Sequence, residues 1–181
     1  MMGSAGERGR RIPTKRAPAR RDQNKSEPLD LRAAGFTQNP GSPHRSQRRR
    51  AREFAIQGLY QALLTGYKPE AILTHISSLE GFKRADQDLC TRLLHGVLGQ
   101  IDKLTAYIVP LLDRPVAELA PVERAILLQG TFELVYMPET PCKVVLNECI
   151  ELAKTFGGVD GHKYVNGVLD KLATSLRPLG T

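Results

Sequence analysis

The 181-residue sequence has no tryptophan and only three cysteines, and no apolar run in it approaches the ~18 residues of a membrane-spanning helix. The last absence predicts a chain without a helical membrane anchor. The N-terminus also lacks the apolar core of a signal peptide, although its Arg/Lys-rich, acid-poor start leaves an organelle transit peptide as an alternative. An odd number of cysteines without close pairing argues against a disulfide framework. Cys90, Cys142 and Cys149 fall in apolar helical stretches and are expected to be reduced, buried thiols. A cytoplasmic setting is the corresponding default. His44, His75, His95 and His162 lie far apart, and no Cys or His pair has ligand spacing, so no metal site is expected. "GGVDG" (157–161) lies between two helices and lacks the Lys-Ser/Thr of a phosphate-binding loop. No nucleophile–base set stands out, and Glu148 and Glu151 read as a solvated helix face. The expectation is a non-catalytic protein without a cofactor.

Charge is abundant but uneven. Of 26 basic and 19 acidic residues, residues 1–47 hold ten and four, and residues 53–181 hold twelve and fifteen. Between them stand Arg48, Arg49, Arg50 and Arg52 with no acidic residue. A mildly acidic body therefore follows a basic arm, and such arms commonly meet nucleic acid or acidic surfaces. Residues 1–47 are rich in Gly, Pro, Ser, Arg and Gln. They hold too little apolar surface to offset chain entropy and are read as a disordered basic extension.

From residue 48 to 178 the pattern is helical with short breaks. Ile56, Leu59, Tyr60, Leu63 and Leu64 form a first stripe, broken by Gly66 and Pro69. A shorter helix spans Glu70 to Leu79, and a long one runs from about Asp86 to Leu111. "DRPVAEL" makes a short turn or a single helical turn. "PVERAILLQGTFELVYM" is apolar nearly all round, as a central buried helix is. The next helix has Thr140 as N-cap, Pro141 as its first residue and Gly157 as a left-handed stop. Asp160 is the expected N-cap of the last, and Pro178 follows its end. With no period-2 strand and no internal repeat, the fold class is all-α, about seven helices.

The four arginines fall where the helix dipole disfavours cations. Arg48, Arg49 and Arg52 share an arc with Ile56, Leu59 and Leu63, so core-facing positions carry charge. Burying unpaired guanidinium groups is costly, so this turn is expected to project beyond the core or fray. A polyanion would relieve the conflict, because phosphates are bidentate partners for guanidinium. A soluble leader that binds nothing specific remains the alternative. A second candidate is the corner "TFGGVDGHKYVNGVLD". Phe156 and Tyr164 can stack on unpaired bases, Lys163 can pair a phosphate, and Asp160 or Asn166 can read base edges. The alternative is an ordinary helix junction, with Phe156 in the core and Asp160 merely capping.

Four stretches taken together, "RRRAREFAIQGLYQ", "PVERAILLQGTFEL", "PCKVVLNECIELAKTFG" and "DGHKYVNGVLDKL", closely resemble the NusB family of bacterial transcription antitermination factors, across residues 48–178. The resemblance implies two packed helical bundles. It implies binding of the single-stranded boxA element of nascent ribosomal or antiterminated RNA. It further implies a heterodimer with NusE, a small-subunit ribosomal protein, within an RNA polymerase antitermination complex. The family's RNA-binding residues map onto Arg48, Arg49, Arg50, Arg52, Phe156, Asp160, Lys163 and Tyr164. The acidic NusE contacts map onto Glu118 and Glu123, with Tyr60 near that surface. Considered alone, either glutamate reads as a solvated charge. Some members form homodimers that cover the RNA surface. Cys142 stands where some members place an aromatic near the NusE contact, and the 47-residue leader is longer than the family usually carries. Similar helical domains precede the catalytic domain of some RNA cytosine methyltransferases. Such a domain needs strands, a Gly-rich loop and nucleophilic cysteines, for which the residues after 178 leave no room. A protein-interaction module with an inert arm is the third class.

Overall fold

A serine opens the first helix. The Ser46 hydroxyl accepts from the Arg49 backbone N–H at 3.1 Å, one of the donors a helix start leaves without a partner. The computed structural model describes residues 46–177, so the basic extension and Pro178 lie outside the described residues, apart from the arm's last two positions. Within them are seven α-helices: α1 (Gln47–Thr65), α2 (Pro69–Ser77), α3 (Gln87–Leu98), α4 (Ile101–Ile108), α5 (Pro121–Tyr136), α6 (Cys142–Phe156) and α7 (Gly161–Leu176). Single 3₁₀ turns occupy Phe82–Arg84, Val109–Leu111 and Val116–Glu118, the last inside "DRPVAEL" as expected. No described helix is long and apolar enough to cross a membrane.

The helices form two groups that share α5. One holds α1, α2 and α3; the other holds α4, α6 and α7; α5 packs against α1, α3, α4, α6 and α7. Its residues from Ala125 to Leu134 are all buried, as a helix apolar nearly all round requires. Two glycines let neighbours approach closely. A Cβ on Gly130 of α5 would come within 2.7 Å of Leu169 and 2.8 Å of the Cys149 sulfur, and one on Gly96 of α3 would overlap the Phe132 ring.

Several local expectations need correction. The long helix is two helices. Gly99 caps α3, its N–H bonded to the His95 carbonyl at 2.9 Å, and Gln100 turns the chain with φ −137° and ψ 24°. Val97, Ile101, Leu104 and Ile108 continue the same spacing across the break, so periodicity could not reveal it. The break passes the chain from α1, which α3 packs against, to α7, which α4 packs against, while both helices stay on α5. Gly157 is extended (φ −88°, ψ 177°) rather than left-handed. What requires glycine there is proximity: a Cβ would lie 2.6 Å from the Ala153 carbonyl oxygen. The α6 N-cap is Pro141, one residue later than expected, and Thr140 is buried. Cys90 and Cys149 are buried, but Cys142, the first residue of α6, is only half-buried.

The fold's least apolar buried feature joins α1 to α5. Arg52, 3% exposed, lies against Glu133, 0% exposed, in the last turn of α5. Its Nε donates to Oε1 at 2.9 Å and its Nη2 to Oε2 at 2.7 Å, a parallel two-bond pairing. The same end of α5 receives two more guanidinium groups. Arg177 donates to the carbonyls of Leu134 (2.6 Å), Thr140 (3.0 Å) and Met137 (3.4 Å), and Arg92 to that of Tyr136 (3.3 Å). Cations are favoured where a helix leaves carbonyls without partners.

Replacing Glu133 by Gln leaves the buried guanidinium without its counter-charge. It should cost about 3–5 kcal/mol of stability in urea unfolding, while Arg52→Met combined with Glu133→Leu should cost less than the two single changes summed. Burial pushes the Cys90 thiol up to about 12 and the Cys149 thiol well above its ordinary value, so neither is ionised at neutral pH. Native alkylation with iodoacetamide, read by mass spectrometry, should therefore mark Cys142 and spare Cys90 and Cys149 until denaturant is added.

Candidate nucleic-acid interface

The arginine turn neither frays nor projects as a unit. It is helical from Gln47, and its four guanidinium groups have different surroundings. Arg52 is in the buried pair with Glu133, which corrects the expectation that it stands outside the core. Arg49 is a third exposed. It pairs in two-bond fashion with Glu148 of α6, Nε to Oε2 at 3.1 Å and Nη2 to Oε1 at 2.9 Å, and Glu148 chiefly holds its pKa above the ordinary value. Glu148 is thus 16% exposed and engaged, not part of a solvated face. Arg50 is half-buried. Arg48 is exposed, within electrostatic range of Glu139. The physical conflict read from the sequence is therefore settled inside the protein for Arg49 and Arg52.

The pairing points toward the second candidate. Arg49, Glu53, Glu148, Glu151, Leu152 and Thr155 line one small crevice between α1 and α6, and Thr155 immediately precedes Phe156. Glu148 is eight residues before Phe156, roughly 12 Å along the helix. The arginine turn and the aromatic corner are thus joined along α6.

At the corner, Phe156 is half-buried and packs on the core. Asp160 occupies the N-cap position of α7 but makes no capping hydrogen bond. It lies instead 3.1 Å from the Lys163 ammonium, both side chains more than 70% exposed. Tyr164 is half-buried, and the Arg114 guanidinium carbon stands 4.5 Å from its ring centroid, a cation–π contact. Arg114 also pairs with Asp113 (Nε to Oδ1, 2.8 Å), holding that carboxylate below its ordinary range. Burial, with Asp113 beside it, pushes the Tyr164 phenol up. Sequence reasoning missed Arg114. Its position just before Pro115, in a loop far from the corner in sequence, gave no signal.

The expected partner contacts divide. Glu118 is exposed at the end of the Val116–Glu118 turn. That segment and the end of α1 line a shallow groove of about 140 Å³, formed by Leu63, Leu64, Val116, Ala117, Leu119, Pro121 and Arg124. Leu64, read as a core position, is 48% exposed there. Tyr60 is half-buried on α1, one turn before Leu64. Glu123 turns the other way. A Cβ on Gly161 would come within 2.6 Å of its Oε1, so the carboxylate rests against the first residue of α7. The first turn of α5 thus stands between the two features, with Glu123 at the corner and Arg124 at the groove.

Among the described residues no group of His, Cys, Asp and Glu could hold a metal ion. The arrangement is one of cations, aromatic rings and an apolar groove at the surface, suited to binding.

Comparison with known proteins agrees with this architecture. The chain is 56% identical over 138 residues to the transcription antitermination protein NusB of Ralstonia nicotianae, covering 76% of this chain and 89% of the relative. It is 53% identical over 137 residues to that of Burkholderia ambifaria, covering 76% and 94%. Among solved structures, NusB of T. maritima superposes with a TM-score of 0.63 at 29% identity, covering 70% of this chain and 90% of that one. A complex of antitermination factors NusB and NusE with dsRNA shares the fold, with a TM-score of 0.64 at 23% identity, covering 71% and 97%. The NusB family description matches residues 49–174, and the chain belongs to that family.

Proposed function

We propose that this chain acts in transcription antitermination by holding the boxA element of a nascent transcript jointly with NusE. It is an adaptor and not an enzyme. The observation that carries the reading is the seat of the first turn of α5 between the α7 corner and the α1 groove. One RNA strand and one protein partner can lie side by side there, each touching residues that the turn positions. On the RNA side, Arg48 and Arg50 offer cations at the start of α1, and Phe156, Asp160, Lys163 and Tyr164 form the corner. Arg49 takes part by exchanging Glu148 for a phosphate. Arg52 serves through its pairing with Glu133, which sets the angle of the turn. On the partner side, Glu118 gives charge complementarity to a basic ribosomal protein, and Tyr60 and Leu64 give apolar contact. Glu123, the other glutamate expected to meet NusE, rests against Gly161 and faces the corner rather than the groove.

The strand is proposed to be single, because Phe156 and Tyr164 can stack only on bases free of a duplex. The working context is the RNA polymerase antitermination complex in the bacterial cytoplasm. Pairing of two copies over the RNA face would be a stored form of the same protein.

Fluorescence anisotropy with labelled boxA RNA tests the proposal. Affinity should exceed that for a scrambled strand of equal length and should rise further when NusE is added. Equal affinity for boxA and scrambled RNA would overturn it. Replacing Arg48 and Arg50 by Ala should flatten the log–log salt dependence by about 0.7 for each phosphate no longer neutralised. An unchanged slope and affinity would favour instead a protein-interaction module with an inert first turn.

A further inference from the structure

Arg114 lies outside every segment that points to RNA, yet it is built into the corner. Its guanidinium lies over the Tyr164 ring at 4.5 Å, while Asp113 holds one edge through Nε at 2.8 Å and Nη2 at 3.3 Å. Nη1 donates to no acceptor among the described residues, and 43% of the side chain remains exposed. The backbone is also constrained. Pro115 follows, and a residue before proline is restricted to extended conformations. The loop that carries Arg114 runs between the Val109–Leu111 turn, which packs against α7, and the Val116–Glu118 turn. The side chain is thus fixed on three counts: by its backbone, by Asp113 and by the ring.

We propose that Arg114 is a further RNA-contacting residue, whose guanidinium, held over Tyr164, binds a backbone phosphate beside the base at the corner. This rests on the RNA-binding reading above. A guanidinium fixed in this way forfeits little rotamer freedom on binding, and its remaining N–H groups match phosphate oxygens. Lys163, next to Tyr164 in sequence, 72% exposed and 3.1 Å from Asp160, supplies a second cation at the corner. Two cations at one corner can hold the phosphates of neighbouring nucleotides, with a base on an aromatic or guanidinium plane between them. Arg49 and Arg52 are committed to glutamates, and Arg114, although paired with Asp113 through Nε and Nη2, keeps its Nη1 edge for a phosphate at the corner.

The test uses the full chain with NusE and labelled boxA RNA, over a series of salt concentrations. Arg114→Ala should weaken binding about tenfold and flatten the log–log salt slope by about 0.7. Arg114→Lys should keep the slope but recover only part of the affinity, because an ammonium carries the charge without the flat fork. Melting curves of both variants should overlay the parent's, since the pair with Asp113 lies at the surface. Lys163→Ala and Phe156→Ala serve as controls for the corner itself. If Arg114→Ala binds with parental affinity and slope while the controls weaken binding, the Arg114 proposal is overturned and the corner stands. Tighter binding by Arg114→Ala would also overturn it, showing the guanidinium to be a competitor for the ring. If no variant changes binding, the RNA-binding reading falls with it.

Discussion

The Arg52–Glu133 pair decides how the two helix groups meet. Arg52 lies one turn into α1, and burying its guanidinium alone would cost several kcal/mol. Here the charge is answered from outside α1. The last turn of α5 supplies a carboxylate to the start of α1, at 2.7 and 2.9 Å and with almost no solvent contact. Two-bond geometry of this kind fixes angle as well as distance, so the pair acts as a registration pin between α1 and α5. Because α5 packs on five of the other six helices, the orientation of α1 is transmitted to the whole domain. The outward course of the arginine turn, and hence the position of Arg48 and Arg50, follows from this one interaction.

From that frame the binding features take their places. Arg49 reaches α6 through Glu148, and α6 ends at Phe156, so the opening turn and the aromatic corner are two ends of one continuous surface. On the opposite side of the first turn of α5, the end of α1 and the Val116–Glu118 turn leave an apolar groove with Leu64 partly uncovered. Glu123 and Arg124, neighbours in sequence, face the two features separately.

Much of this was legible in the sequence, and the exceptions share a cause. Helix order, the central position of α5 and the single turn within "DRPVAEL" follow from apolar periodicity and from Gly and Pro punctuation. The α3–α4 break was not legible, because Val97, Ile101, Leu104 and Ile108 keep helical spacing through it. Arg52 showed as an anomaly, a cation on an apolar stripe, but its resolution needed Glu133, 81 residues away. The complementary anomaly was also present, an acidic residue inside a helix otherwise apolar all round. Two mismatched charges of opposite sign on two core helices are together a signal for a buried pair. Glu148 read as solvated because nothing local distinguishes an engaged glutamate from a free one. Leu64 satisfied the stripe but lies at the helix end, beyond the reach of the core. Arg114 left no trace, since its relation to Tyr164 exists only through the fold.

The clasp formed by Arg177 has a consequence for how the polypeptide matures on the ribosome. The carbonyl of Leu134 is closed by a side chain 43 positions downstream. At ordinary elongation speed that separation amounts to roughly 2–9 s of synthesis. Through that interval the central helix has emerged but its carboxyl end remains open to water, and the domain can lock only as a whole, once its seventh helix has been translated.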